Sequence, residues 1–165
     1  MAELTVLESK LGEVAGLAMA AQGATEKVKG LVEDEGASDL ASTLERMHKE
    51  AAETEERCTE RADEFDGKKT AILDKAREVK QEATEMMRTY LGEDADALDG
   101  FEFLTMAEAG EVGHWAIVRE MADQAGDSKT IELAEWAMPI QERHFQEVRE
   151  GSLVLARMED PTEPA

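Results

Sequence analysis

Apolar residues recur along most of this chain at alternating gaps of three and four residues. That spacing places apolar side chains on one face of an α-helix. It runs through five segments, at residues 3–32, 38–65, 68–91, 97–125 and 128–157. No segment alternates with the period of two that a half-buried strand requires. The pattern therefore predicts an all-α fold.

The order of these segments predicts how the helices connect. Short turns join the first segment to the second and the fourth to the fifth, so each pair is expected to form an antiparallel hairpin. The third segment would span about 36 Å at 1.5 Å per residue, enough to cross most of the bundle. Two hairpins joined by a long helical crossover between helices two and three make a four-helix bundle. We expect this bundle to occupy residues 1–158 as one domain, followed by a disordered acidic tail at 159–165.

The chain is strongly acidic. Its 39 Asp and Glu residues outnumber its 18 Lys and Arg residues and give a formal net charge of -21. This charge repels nucleic-acid phosphate and anionic lipid, so no nucleic-acid partner is expected. The same surplus would attract cations or suit a salt-rich cytoplasm, and charge alone does not separate these two interpretations.

Neither a membrane span nor a signal peptide is expected. No apolar run approaches the ~20 residues that a transmembrane helix needs, and the N-terminus lacks the basic and hydrophobic regions of a secretion signal. The prediction is a cytoplasmic protein without a membrane partner. Cys58 is the only cysteine, which excludes an internal disulfide, and its place on an apolar face predicts a buried small side chain.

Four polar residues interrupt the apolar faces of the last two segments. Glu108 and Glu111 lie on the apolar face of 97–125, and Gln141, with His144 beside it, lies on that of 128–157. Burying an unpaired carboxylate costs several kcal/mol, so these groups must be neutralised, hydrogen-bonded or bound to a cation. Both pairs lie about equally far from the turn at Asp127, so an antiparallel hairpin would bring them to one level. The sequence therefore predicts one buried site.

The residue types in and near this site suit a transition metal. Carboxylates that can bridge two ions, together with imidazole, are ligands for iron, manganese or zinc. Glu111 and His114 form one E-x-x-H motif, and Glu45 and His48 form a second. A spacing of three residues puts both side chains of a motif on one helix face. A metal ion is the predicted partner, with iron as the first candidate and manganese or zinc as alternatives.

With these motifs and this helix order, the chain resembles the ferritin-like superfamily, nearest to rubrerythrin-like and YciE/YciF-type stress proteins. Residues 68–156 carry most of the likeness. The resemblance implies a ferritin-like four-helix bundle whose dimetal centre reacts with oxygen or peroxide, or oxidises iron, in stress protection. Carried over to this chain, it implies Glu108 or Glu111 as the bridging carboxylate and His144 as the imidazole ligand. Glu45 and His48 would be the ligands from helix two.

The chain departs from the superfamily pattern in three places, one of which is that Glu45 and His48 flank the apolar face of helix two rather than lying on it. Helix four offers Gln141, a neutral amide, where the pattern has Glu. Helix one offers Ala18 and Ala21 at the required level, with Gln22 as the nearest polar residue. The first half of the dimetal site is thus reduced.

A metal-free role stays open beside the metal site. Glu108, Glu111, Gln141 and His144 could form a hydrogen-bonded polar layer, which in helical bundles fixes register and partner choice. The chain would then be a structural or interaction protein on a ferritin-like scaffold. Whether it is an enzyme is left open by the sequence.

One face of the first helix carries only small residues, namely Gly12, Gly16, Ala20 and Gly23. Small residues permit the close approach of another backbone. This strip is therefore predicted to pack against the crossover helix or against a second subunit. Among the oligomeric states, a homodimer is favoured.

Overall fold

The computed structural model of the protein describes residues 2–164. Within this range the chain forms five helices and no strand, which confirms the all-α prediction. Each helix begins and ends within a few residues of the bounds predicted from the apolar pattern. None of the five offers a stretch that is both long and apolar enough to cross a membrane. The helices are α1 (Val6–Asp34), α2 (Ser38–Asp63), α3 (Lys69–Tyr90), α4 (Ala97–Ala125) and α5 (Ser128–Ala156).

Local sequence determines where α1 and α4 begin. At the start of α1, the Thr5 hydroxyl accepts from the Glu8 backbone N–H while the Glu8 carboxylate accepts from the Thr5 backbone N–H. Asp96 and Asp99 form the same reciprocal pair at the start of α4. Each pair satisfies two backbone donors at the helix start, where the first turn leaves them without partners.

The turn between α4 and α5 is tied to the end of α2. Gly126 has a φ of 67°, a left-handed conformation that glycine adopts without strain. Asp127 caps α5 by accepting from the Thr130 backbone N–H at 3.0 Å. Arg61 of α2 donates to the same carboxylate at 2.9 and 3.0 Å. This network holds the end of α2 beside the start of α5.

α3 lies against α1 along the predicted strip of small residues. A Cβ on Gly12 would meet the Ile72 carbonyl oxygen at 2.8 Å, and one on Gly16 would collide with the Ala76 carbonyl. Moving along α1 from Gly12 to Gly16 moves the contact along α3 from Ile72 to Ala76, so the two helices run parallel. Up to Gly16 the strip therefore serves packing within the chain rather than contact with a second subunit. At Gly23 no atom lies within 4 Å of the Cβ position, so the strip ends in open space.

The helices other than α3 form two antiparallel hairpins, one of α1 with α2 and one of α4 with α5. Two sets of contacts join the hairpins to each other. α1 contacts α4, and α2 contacts α5. Gly100 near the start of α4 lies against Val28 near the end of α1, and His114 further along α4 lies near Glu13 of α1. α1 and α4 therefore run in opposite directions.

Two clusters of buried apolar residues fill the interior, one toward each end of the helices. Cys58 belongs to one of them and is buried, as predicted. Neither cluster includes a buried residue from 105–114 of α4 or from 138–147 of α5. These two stretches form a gap between the clusters. The interior is therefore not continuously apolar, and the gap is where the candidate site lies. The two clusters are represented by Val28, Leu44, Phe101 and Val148, and by Leu11, Cys58, Trp115 and Ala134.

Candidate functional site

The gap between the apolar clusters holds the four polar residues that interrupt the apolar pattern. Glu108 and Glu111 lie one turn apart on α4, with 2% and 4% of their surface exposed. Gln141 and His144 lie one turn apart on α5, each with 1% exposed. We call these four residues the polar layer. Their predicted burial is confirmed, whereas their role as metal ligands stays a prediction.

The His144 imidazole lies between two carboxylates from different helices. Its Nδ1 is 3.6 Å from Glu108 Oε2 on α4, and its Nε2 is 3.5 Å from Glu50 Oε1 on α2. Both separations exceed the 2.7–3.2 Å typical of an N–H···O hydrogen bond. The imidazole is therefore placed between acids without a close bond to either one.

Glu50 is a member of the site that the sequence pattern did not reveal. It flanks the apolar face of α2, and Arg46 and Arg143 both donate to its carboxylate. Burial by itself would raise the pKa of Glu50, but the two guanidinium groups outweigh burial and lower the pKa below its ordinary value of 4.5. Glu50 is thus held as an anion facing His144. Its partners come from another helix as well as its own, so periodicity along α2 gives no sign of them.

The second E-x-x-H motif does not join the polar layer. Glu45 is exposed, and its carboxylate lies 3.2 Å from Lys49 Nζ and 3.7 Å from Lys29 Nζ. The ring of His48 donates from Nδ1 to the Gln22 carbonyl oxygen at 2.9 Å. The ligand set that the resemblance implied for helix two is therefore not assembled. The two residues flank the apolar face of α2, and the helix packing turns Glu45 to the surface.

His114 lies near the site but faces α1. Its Nδ1 is 3.7 Å from Glu13 Oε2, and 39% of its side-chain surface is exposed. Gln22, the polar residue of α1 nearest the expected level, donates to the Glu55 carboxylate of α2. The α1–α2 hairpin therefore contributes a polar pair of its own rather than the ligand that a dimetal centre would take from helix one.

Several buried polar atoms of the layer have no hydrogen-bond partner within the protein. They are Glu108 Oε2, Glu111 Oε2, Gln141 Oε1 and His144 Nε2, and His114 Nδ1 nearby is in the same condition. More than nine in ten buried polar groups in proteins are satisfied, and an unsatisfied one costs about 1–3 kcal/mol. The layer is therefore not a closed hydrogen-bond network.

Burial raises the pKa of Glu111 well above its ordinary value of 4.5, and the negative charge of Glu108 raises it further. Two carboxylates one turn apart in a dry interior cannot both ionise at low cost. The pair is stabilised by a proton on Glu111 or by a cation bound to both. The arrangement can therefore exchange a proton for a positive ion.

A cavity of about 560 Å³ opens between α1, α3 and α4 beside these carboxylates. Gly23 of α1 and Gly110 of α4 line it, and no neighbouring atom lies within 4 Å of either Cβ position. Glu108, Glu111 and His114 line it on the α4 side. We call it the α1–α3–α4 cavity. Its apolar lining includes Leu17, Ala20, Met86, Met87, Leu104 and Ala107.

Within residues 2–164, no three or more His, Cys, Asp and Glu side chains are grouped so as to hold a metal ion. The donor types of the layer fit iron, manganese or zinc, but their positions do not surround a common point. Comparison with protein-family models, with curated proteins and with solved structures found no match to this chain.

Proposed function

We propose that this chain is a ferritin-like protein that binds a metal cation, iron first and manganese or zinc as alternatives, at the polar layer. The observation that carries the proposal is the pair of buried, unpartnered carboxylate oxygens on Glu108 and Glu111 beside the buried His144 imidazole, whose Nδ1 lies 3.6 Å from Glu108 Oε2. Carboxylate and imidazole atoms of this kind are ligands for these metals. A cation would satisfy several of them at once.

The helix arrangement supports the ferritin-like part of the proposal. Two antiparallel hairpins face each other through the contacts of α1 with α4 and of α2 with α5. α3 runs parallel to α1 and carries the chain back to the end where α4 begins. We take α1, α2, α4 and α5 as the four-helix bundle and α3 as its crossover, which is the connectivity of ferritin-like folds.

The charges around the layer support a cation. Arg46 and Arg143, whose guanidinium groups contact Glu50 of the site, are paired with Glu50 and Glu147. They therefore do not neutralise Glu108 and Glu111. A metal ion would replace the proton that burial favours on Glu111, because bound carboxylates are deprotonated.

Glu108, Glu111 and His144 would hold the ion, with Gln141 Oε1 as a weak fourth donor. Because no three of these groups now surround one point, binding requires the long Glu side chains to change rotamer and approach the imidazole. A bound iron or manganese ion would supply redox chemistry toward oxygen or peroxide. The two apolar clusters would exclude water from the ion along the helix axes, and the α1–α3–α4 cavity beside Glu108 and Glu111 would leave one side through which oxygen or peroxide reaches it.

Metal titration tests the proposal. Protein stripped of metal by a chelator and dialysed should rise in Tm when Fe²⁺, Mn²⁺ or Zn²⁺ is added, because a ligand stabilises the state that it binds, by about 2.7 kcal/mol at 100 times Kd. The double variant E108Q/E111Q should lose this rise. The matched control E102Q/E120Q changes two exposed residues of the same helix and should keep it. Equal rises in both variants, or no rise in the unmodified protein, would contradict the proposal.

A metal-free scaffold is the second candidate. The absence of a grouped donor set within residues 2–164 favours it, as does the raised pKa of Glu111, which lets a neutral carboxyl group serve as a hydrogen-bond donor. The chain would then act as a structural or interaction protein. The metal-free scaffold predicts that added metal leaves Tm unchanged and that E108Q/E111Q folds with unchanged or increased stability. The cytoplasmic homodimer expected from the sequence stays a prediction under either candidate.

A further inference from the structure

The α1–α3–α4 cavity arises where α1 and α3 stop touching. The two backbones are in contact at Gly12 and Gly16, but no atom lies near the Cβ position of Gly23 two turns later. Met86 of α3 and Met106 of α4 line the space and are exposed, so the cavity is open to solvent. Its volume of about 560 Å³ lies in the range of about 300–1,000 Å³ typical of small-molecule sites.

The chemistry of the lining is uneven. α1 and α3 contribute mostly alanine, leucine and methionine, whereas α4 contributes the buried acids Glu108 and Glu111. Each acid has a carboxylate oxygen without a hydrogen-bond partner and is more than nine-tenths buried. One ammonium group, that of Lys80, lines the cavity with the imidazoles of His48 and His114, and the three acids Glu26, Glu108 and Glu111 outnumber the single lysine. The cavity therefore combines an apolar wall with a buried negative end.

We propose that the α1–α3–α4 cavity binds a small organic ammonium ion, with its charged head at Glu108 and Glu111 and its apolar tail against α1 and α3. The ammonium N–H groups would donate to the Glu108 and Glu111 carboxylates as charge-assisted hydrogen bonds, for which each side chain turns an oxygen toward the cavity that it lines. The tail would cover Leu17, Ala20 and Met87, which now face the cavity. An apolar ligand without charge would leave the carboxylates buried and unpaired, and an anion would be repelled.

The proposal of an ammonium site does not depend on the proposal of a metal site. The ammonium ion would approach Glu108 and Glu111 from the α1 and α3 side, while His144 and Gln141 lie on α5, which does not line the cavity. An ammonium ion and a metal ion would compete for the two carboxylates. Measurements made in the presence of EDTA therefore test the ammonium site whether or not the metal proposal holds.

Calorimetric titration with hexylamine, 1-hexanol and hexanoate at pH 7 in EDTA is the experiment. Hexylamine should bind at least ten times more tightly than the alcohol, and hexanoate should not bind. Butylamine, shorter by two methylenes, should bind about fifteenfold more weakly than hexylamine, at about 0.8 kcal/mol per buried methylene. The preference for amine over alcohol should disappear in E108Q/E111Q.

A variant that fills the cavity gives a second test, and the same substitution outside the cavity is its matched control. Gly23→Leu places a side chain in the cavity and should weaken hexylamine binding at least tenfold. Gly30→Leu makes the same change on the same helix, at a position with equally open surroundings that does not line the cavity, and should leave binding unchanged. Equal affinity for amine and alcohol, equal affinity for butylamine and hexylamine, an unaffected Gly23→Leu variant, or no binding of any probe would each overturn the proposal.

Discussion

Glu108 and Glu111 show how a single residue can conflict with its helix. Both lie on the buried face of α4, where apolar side chains lie one to two turns away on either side. Proteins seldom bury ionisable groups without a partner, and such groups cluster at functional sites. The conflict is visible in the sequence because it needs only the helical period and the identity of the residue. Its resolution by a proton, a metal ion or an ammonium ion depends on neighbours from other helices.

The raised pKa of Glu111 predicts a stability change with pH. The folded state holds a proton on Glu111 that the unfolded chain releases above about pH 4.5, so stability falls as pH rises from 4.5 through the pKa of the folded state. Glu111→Gln removes this pH-dependent fall in stability, because glutamine has no carboxyl group to ionise. In metal-free protein, the variant should therefore gain stability over the unmodified chain as pH rises from 5 to 8. The gain should be about 1.4 kcal/mol for each pH unit that lies below the pKa of the folded state.

Urea unfolding at several pH values measures this difference. Glu120→Gln, an exposed change on the same helix, should show a difference that stays nearly constant with pH. A Glu111→Gln difference that is also constant would mean that Glu111 is ionised in the folded protein over this range.

At the scale of the elements, α1 and α3 approach each other through backbone atoms at two glycines, Gly12 and Gly16. Gly16 has no room for a Cβ because the Ala76 carbonyl occupies the place. The carbonyl belongs to the backbone of α3 and cannot turn aside as a side chain could. The distance between the two helices therefore depends on this glycine, and so does the point at which they separate to form the cavity.

Two glycine substitutions on α1 should act in opposite directions. Gly16→Ala should lower the free energy of unfolding by about 1–3 kcal/mol, the usual cost of overpacking. Gly30→Ala, in open surroundings, should raise it by about 0.5–1 kcal/mol because alanine loses less backbone entropy in a helix. Urea unfolding of both variants checks the pair. A stabilising Gly16→Ala would show that α3 does not press against α1 in solution.

At the scale of the whole molecule, the net charge of -21 is the dominant feature. Exposed acids on all helices repel one another, and self-repulsion destabilises a compact state. Salt screens this repulsion over a Debye length that shortens from about 30 Å at 0.01 M to about 3 Å at 1 M. The acidic surface thus links stability to ionic strength.

The Tm of the protein should rise as NaCl increases from 0.01 M to 1 M. KCl should give the same rise, because screening depends on ionic strength rather than on the cation. Differential scanning calorimetry with both salts measures the effect. A Tm that does not change, or that rises with one salt only, would argue against general screening.

Much of the fold could be predicted from the sequence, because helix periodicity, caps and turns are local properties. The bounds of all five helices, the burial of Cys58 and the burial of the polar layer follow from the 3.6-residue period. The packing of the small-residue strip against the crossover helix, α3, was one of two predicted outcomes, the other being contact with a second subunit. Glu50 and the cavity were not predicted, since each depends on residues brought together from different helices.

The amino-acid sequence by itself determined the helices and the residues that face their interior, because both depend on spacing along one chain segment. Only the tertiary structure decided that Glu50 faces His144, that Glu45 stays at the surface beside Lys29 and Lys49, and that α1 and α3 separate beyond Gly16. These relations depend on the rotation and axial position of one helix against another. Side-chain packing between helices sets those two quantities, and the periodicity within a single helix does not specify them.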